Sequence, residues 1–82
     1  MRNYEGKDNY GHPKSEYINK LHNMDDNQLF EQTEKMIWLS AYAANNPLSD
    51  FHWQRNACYD ECFARDKIDI YSKAYEKVFK TI

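Results

Sequence analysis

CYDECFARDKIDIYSKAYEKVFKTI, residues 58–82, is the stretch of sequence that decides the fold. Its second half carries apolar side chains at i, i+3, i+4, i+7, i+8 and i+11, namely Tyr71, Ala74, Tyr75, Val78, Phe79 and Ile82. This spacing puts them on one face of an α-helix, and such a face has to pack against something. The stretch therefore predicts the end of one helix, a break at Asp66 and Lys67, and a final amphipathic helix.

The segments before this stretch also have helical patterns, and none shows the apolar–polar alternation of a strand. Asp25 and Gln28 have the spacing of a capping box at a helix start, and Asn45, Asn46 and Pro47 are typical of a helix end. We predict an all-α fold, a small bundle of three main helices with a short N-terminal helix laid against it. The main helices are expected at about residues 26–44, 50–65 and 68–81, and the short one at about residues 14–23.

The length of 82 residues leaves room for one domain and one core. We predict a single helical domain over residues 13–82, preceded by a polar, flexible arm over residues 1–12 that holds both glycines. A chain this short buries only about 60–65% of its unfolded surface. Because self-association would relieve the shortage of core, a homodimer is one expected assembly.

The sequence predicts neither a signal peptide nor a membrane span. The N-terminus has no apolar core of a signal peptide, and no run approaches the roughly 20 apolar residues of a membrane span. Two cysteines are too few for the disulfide framework of a small secreted domain. We therefore predict a soluble, cytoplasmic protein with reduced thiols and no membrane contact.

Charge is spread unevenly, although the formal net charge is only −2. Residues 25–66 contain three basic and eight acidic side chains, whereas residues 67–82 contain four basic and two acidic ones. No stretch is basic enough to predict strong phosphate binding, so nucleic acid is a disfavoured partner.

Catalytic motifs do not occur in this sequence. It has no GxSxG nucleophile motif, no glycine-rich phosphate loop and no HExxH metal site. A bundle this small also has little room for a deep pocket. We predict that the protein is not an enzyme and uses no cofactor.

The cysteines permit one metal-binding hypothesis. Cys58 and Cys62 are four residues apart on the third helix, and His52 lies near them on the same wheel. Structural zinc usually takes four ligands, and this set provides three at most. The favoured interpretation is that both thiols pack in the core, with metal binding through these three residues as an alternative.

A second alternative is nucleic-acid binding by a helix-turn-helix-like unit built around helix 50–65. Gln54, Arg55 and Asn56 are residue types that contact base edges. Carboxylates surround them and would repel phosphate, namely Asp50, Asp60 and Glu61. An ordinary packed helix pair is the favoured interpretation on charge alone.

Aromatic residues outside the main apolar faces give the leading functional hypothesis. Trp38 and Tyr42 are one turn apart on the otherwise polar side of helix 26–44, and Trp53 lies opposite the main apolar face of its helix. Trp, Tyr and Arg are enriched at the centres of protein interfaces. We therefore predict that Trp38, Tyr42, Trp53 and Arg55 form a protein-binding surface, or that the N-terminal helix covers them.

These observations lead to one functional prediction. We expect a small acidic, non-enzymatic protein-interaction module that acts by binding another protein, whose identity the sequence leaves open. An inhibitor or adaptor encoded by a phage or mobile element and directed at a host protein is the expected kind of molecule, by association with small acidic, aromatic-rich domains of that origin.

Overall fold

A computed structural model describes residues 4–80 and contains four α-helices, which confirms the all-α prediction. The helices are α1 (Lys14–His22), α2 (Asp26–Tyr42), α3 (Asp50–Ala64) and α4 (Ile68–Lys80). Within these residues there is no strand, only an isolated bridge between Lys7 and Pro13. Residue 81 of the predicted last helix, Ile82 of its apolar face and residues 1–3 of the predicted arm lie outside the described residues.

The predicted helix starts are correct, but the predicted ends of α1, α2 and α3 are one or two residues too late. The helix α2 ends at Tyr42 instead of residue 44, because the chain turns through Ala43 to Asn46. His52 stabilises this turn, since its Nε2 lies 3.1 Å from the carbonyl oxygen of Ala43 and 2.9 Å from that of Asn46. Carbonyl oxygens only accept, so Nε2 carries the proton and donates.

Local capping explains where the helices begin and end. The predicted capping box is confirmed, since Asp25 Oδ1 accepts from the Gln28 N–H and Gln28 Oε1 accepts from the Asp25 N–H. The predicted break at Asp66 and Lys67 is also confirmed. Asp66 has a φ of +57°, and the Lys67 and Asp66 N–H groups donate to Cys62 O and Phe63 O. This is a Schellman motif with an aspartate at the position usually held by glycine.

The directions of the helices follow from the side-chain contacts between them. Asp26 near the start of α2 contacts Lys67 before α4, and Glu34 further along contacts Lys77 further along, so α2 and α4 run parallel. The start of α2 contacts the end of α3 through Asp26 and Arg65, so these two helices run antiparallel. The molecule is a flattened body with principal extents of 33, 30 and 19 Å.

The core lies mainly between α2, α3 and α1. Buried apolar residues of these helices form one cluster, namely Leu21, Leu29, Met36, Ala57, Cys58 and Cys62. A smaller cluster of Ile37, Ala74 and Val78 joins α2 to α4. The expectation that the whole apolar face of α4 is buried was wrong: Tyr75 and Phe79 remain 50% and 44% exposed. The side of α4 that faces α2 and α3 is packed, and the side that carries Tyr75 and Phe79 stays exposed.

The apolar side chains of α3 are only partly buried. Cys58 and Cys62 are buried as expected, but Phe63 is 68% exposed and Tyr59 is partly exposed. Ala57 and Glu61 are buried as well, because α1 packs on their side of α3. The helix α3 therefore packs against α1 as well as against α2 and α4.

The segment before α1 lies along α3. The Tyr4 hydroxyl donates to Asp60, and Asn9 donates through its backbone N–H to Asp50 and through its side chain to Leu48 O. The flexibility predicted for this arm stays a prediction. None of the helices in residues 4–80 is both long enough and apolar enough to cross a membrane.

Candidate functional site

Trp38 and Tyr42 form a stacked pair on the surface of α2. Their ring centroids are 5.5 Å apart and the planes meet at only 10°. Trp38 is 49% exposed and Tyr42 is 78% exposed. The two residues that the sequence placed one turn apart on a polar side therefore do meet, and both face outward.

The position of this pair follows from the burial pattern of α2. The residues that α2 buries fall on one side of the helix, namely Leu29, Thr33, Met36, Ile37 and Ser40. Trp38 and Tyr42 lie outside that side. Trp38 borders a shallow pocket whose other lining side chains are Glu31, Glu34, Lys35, Lys77 and Val78. Lys77 Nζ lies 3.1 Å from Glu34 Oε2, so opposite charges are already paired beside the rings.

Trp53 is at a different place and has internal contacts. Its ring packs edge-on against Tyr17 at 5.4 Å and lies 6.2 Å from Tyr4, and Lys14 Nζ sits 5.1 Å from the ring centroid. Its indole N–H donates to Asp50 at 2.9 Å. Trp53 therefore fastens α1 and the preceding segment onto α3, separately from the stacked pair.

Arg55, Gln54 and Asn56 are half-buried on α3. The Arg55 guanidinium donates to Asn56 Oδ1 at 3.3 Å and forms no ion pair with any residue between 4 and 80. The Glu34 carboxylate pairs with Lys77 and not with Arg55. Burial raises the pKa of the Tyr71 phenol. The Arg55 guanidinium lies near this phenol and partly offsets the rise.

Cys58 and Cys62 are buried and reduced, as the core interpretation requires. Burial raises the pKa of the Cys58 thiol to about 11 and also raises that of Cys62. Thiols in this state are poor nucleophiles and poor metal ligands at neutral pH.

The His52 ring makes hydrogen bonds at the end of α2. With Nε2 donating to the carbonyl oxygens at the end of α2, its Nδ1 lies 2.8 Å from Ser40 Oγ and accepts from that hydroxyl. Both ring nitrogens therefore have protein partners. Among residues 4–80, no group of three or more His, Cys, Asp or Glu side chains is placed to hold a metal ion.

A larger aromatic surface, which the sequence analysis missed, lies between α3 and α4. We call it the α3–α4 aromatic face, and it consists of Tyr59, Phe63, Tyr71, Tyr75 and Phe79. Ring contacts connect its members: Tyr59–Tyr71 at 5.1 Å, Tyr71–Tyr75 at 6.4 Å and Tyr75–Phe79 at 4.5 Å. Phe63 follows Tyr59 by one turn on α3. The signal was present in the sequence, because the apolar stripe of α4 is wider than one neighbouring helix can cover.

Comparison with known proteins adds no relative to this picture. No protein-family model matches the chain, and searches of curated proteins and of solved structures find no match. The residues themselves therefore carry the functional argument. They define a small helical domain with two exposed aromatic surfaces, one on α2 and one between α3 and α4.

Proposed function

We propose that this protein is a non-enzymatic protein-interaction module and that the stacked pair of Trp38 and Tyr42 contacts its partner. The observation that supports this most is the exposure of two large rings that already stack on each other. Aromatic side chains at this exposure make a small contribution to the core. Trp and Tyr are also the residues most enriched among interface positions with large binding energies.

The fixed arrangement of the two rings in the free protein favours their use as a binding surface. Two rings held nearly parallel on a helix lose little conformational freedom when a partner covers them. The entropy cost of binding therefore cancels less of the contact energy. The paired charges of Glu34 and Lys77, with Glu31 and Lys35, place polar groups beside the Trp38 ring. An aromatic centre within a polar rim is the usual composition of a protein interface.

We expect the surface of the partner that contacts this protein to be basic. The segment from residue 25 to residue 66 has five more acidic than basic side chains, which attracts a positively charged partner over several ångströms. A partner arginine placed over the exposed Tyr42 ring would add a cation–π contact of about 0.5–2 kcal/mol. An inhibitor or adaptor role, a host protein as the target, a phage or mobile-element source and a cytoplasmic location stay predictions.

Nucleic-acid binding and metal binding also stay predictions, and no observation favours either. The side chains of Gln54, Arg55 and Asn56 are half-buried, with Asp50 and Asp60 on the same helix.

The test is an affinity capture from the source cells with mass-spectrometric identification. The wild type is compared with Trp38→Ala, with Tyr42→Ala and with Tyr10→Ala, the last being an equally exposed aromatic residue outside the pair. We expect one protein to be captured by the wild type and Tyr10→Ala and lost by both other variants, all with unchanged helical content. Capture that Trp38→Ala and Tyr42→Ala leave intact would overturn the proposal.

A further inference from the structure

The α3–α4 aromatic face is similar in size to the largest apolar patch of a typical monomer, and such patches are often functional. The exposed parts of Tyr59, Phe63, Tyr75 and Phe79 amount to about 400 Å², with roughly 200 Å² assigned to each fully exposed side chain. Soluble monomers rarely leave contiguous apolar surface of more than a few hundred Å² without a use for it. The face is also distinct from Trp38, which lies on the side of α4 that carries Lys77.

We propose that this face is covered by a second copy of the chain, so that the α3–α4 hairpins of two protomers pack together around a two-fold axis. Two antiparallel helices with one exposed apolar side form half of a four-helix bundle, and two such halves complete it. The short helix α1 does not occupy that place, because it packs on the opposite side of α3 with Leu21 and Tyr17.

The area of the face agrees with the size that a stable dimer needs. A standard interface buries about 800 Å² on each partner, and in homodimers about 65% of that area is apolar. The exposed aromatic area supplies most of this apolar centre. Ile68, which is also exposed, and the half-buried Tyr71 extend it along α4.

Charge favours a copy of the same chain over an unrelated partner. Arg55 lies near Tyr71 of the face and Glu76 follows Tyr75 along α4, and neither forms an ion pair with another of the residues 4–80. A two-fold interface places the same surface of both copies against each other, so charges of both signs on that surface can pair across it. Arg55 and Glu76 provide one charge of each sign, whereas a surface with charges of only one sign would repel its own copy.

The small number of buried residues in α4 gives a physical reason for the dimer. Of the 13 residues of α4, only Ala74 and Val78 are buried in the single chain. A second copy that covers Tyr75 and Phe79 would bury the helix on two sides. Folding and association would then be linked, and the melting temperature would rise with protein concentration.

The test is sedimentation velocity of the full chain from 1 to 200 µM. We expect a species of twice 9.9 kDa for the wild type. Phe63→Lys and Phe79→Lys should each raise the dissociation constant at least about 30-fold, as loss of an interface hot spot does. Tyr10→Lys is the matched control, because it places the same charge on an aromatic residue of greater exposure outside the face.

Two results would overturn the inference. One is a wild type that stays monomeric at 200 µM, which would leave the face to a different protein. The other is a dimer that Phe63→Lys and Phe79→Lys leave unchanged, or weaken no more than Tyr10→Lys does. Circular dichroism of each variant checks that it folds, and Tyr75→Glu serves as a substitute for a variant that does not. Because Tyr42 is tested separately, the proposed contact through the stacked pair stands or fails independently.

Discussion

The guanidinium of Arg65 lies 3.1 Å from the carboxylate of Asp26, and this contact joins the end of α3 to the start of α2. The same guanidinium donates to Glu61 at 2.8 Å and to the carbonyl oxygens of Leu21, His22 and Met24. Arg65 thereby satisfies carbonyl groups that the end of α1 leaves without helical partners. One mostly buried side chain connects three helices.

Replacement of Arg65 by alanine should lower the free energy of unfolding by about 2–4 kcal/mol, because it leaves the buried Glu61 carboxylate and several carbonyl oxygens without this partner. Urea unfolding followed by circular dichroism measures this. Lys67→Ala is the matched control, since Lys67 also pairs with Asp26 but at an exposed site worth less than about 1 kcal/mol. Equal losses in the two variants would contradict the assigned role of Arg65.

The ion pairs of Asp26 predict a dependence of stability on acid pH. Hydrogen bonds from Lys67 and Arg65 lower the pKa of the Asp26 carboxyl below its ordinary value. A lowered folded pKa stabilises the fold above the unfolded pKa of about 3.9, and that contribution is lost as the pH falls through the folded pKa. Asp26→Asn should therefore be less stable than the wild type at pH 6 and should lose less stability between about pH 5 and pH 2. Parallel unfolding profiles of the two proteins would refute this.

Asp66 offers a stabilising substitution. Its φ of +57° is in the left-handed region, where a side chain costs roughly 1 kcal/mol that glycine does not lose. We expect Asp66→Gly to raise the free energy of unfolding by about 0.5–1 kcal/mol, measured in urea. Asp66→Ala, which keeps a Cβ without the local hydrogen bonding of an acid, should give no gain. A gain in Asp66→Ala as large as in Asp66→Gly would mean that the backbone conformation is not the cause.

The thiols should be protected in the folded protein. Burial raises the pKa of Cys58 to about 11, so almost none of it is thiolate at pH 8, and the side chain is out of reach of reagent. Alkylation by iodoacetamide at pH 8 should be at least about 100-fold slower than in urea-unfolded protein, as followed by peptide mass spectrometry. Rapid modification of Cys58 in the folded chain would show that the α2–α3 core opens readily.

Much of the fold was predictable because it depends on local chemistry. The capping box of Asp25 and Gln28 and the break at Asp66 are set by residues adjacent in sequence, and both are present. The ends of the helices were less predictable. The early end of α2 depends on a hydrogen bond from His52, which is on another helix and has no periodic signature.

The surfaces were predictable only in part. Trp38 and Tyr42 face outward because they do not share the apolar side of their own helix, and a helical wheel is enough to identify this. The α3–α4 aromatic face was missed because the wheel shows which residues are apolar but not how many neighbours a helix has. Arg65 was missed for a similar reason, since its partners lie about 40 residues away in the sequence.

The claim on which the functional account depends is that Trp38 and Tyr42 contact a partner protein. The most direct measurement is photo-crosslinking in the source cells, with benzoylphenylalanine in place of Tyr42 and, as control, in place of the equally exposed Tyr10. The account predicts one discrete adduct with a different protein from position 42 and none from position 10. Absence of any adduct at position 42, or the same adducts from both positions, would contradict it.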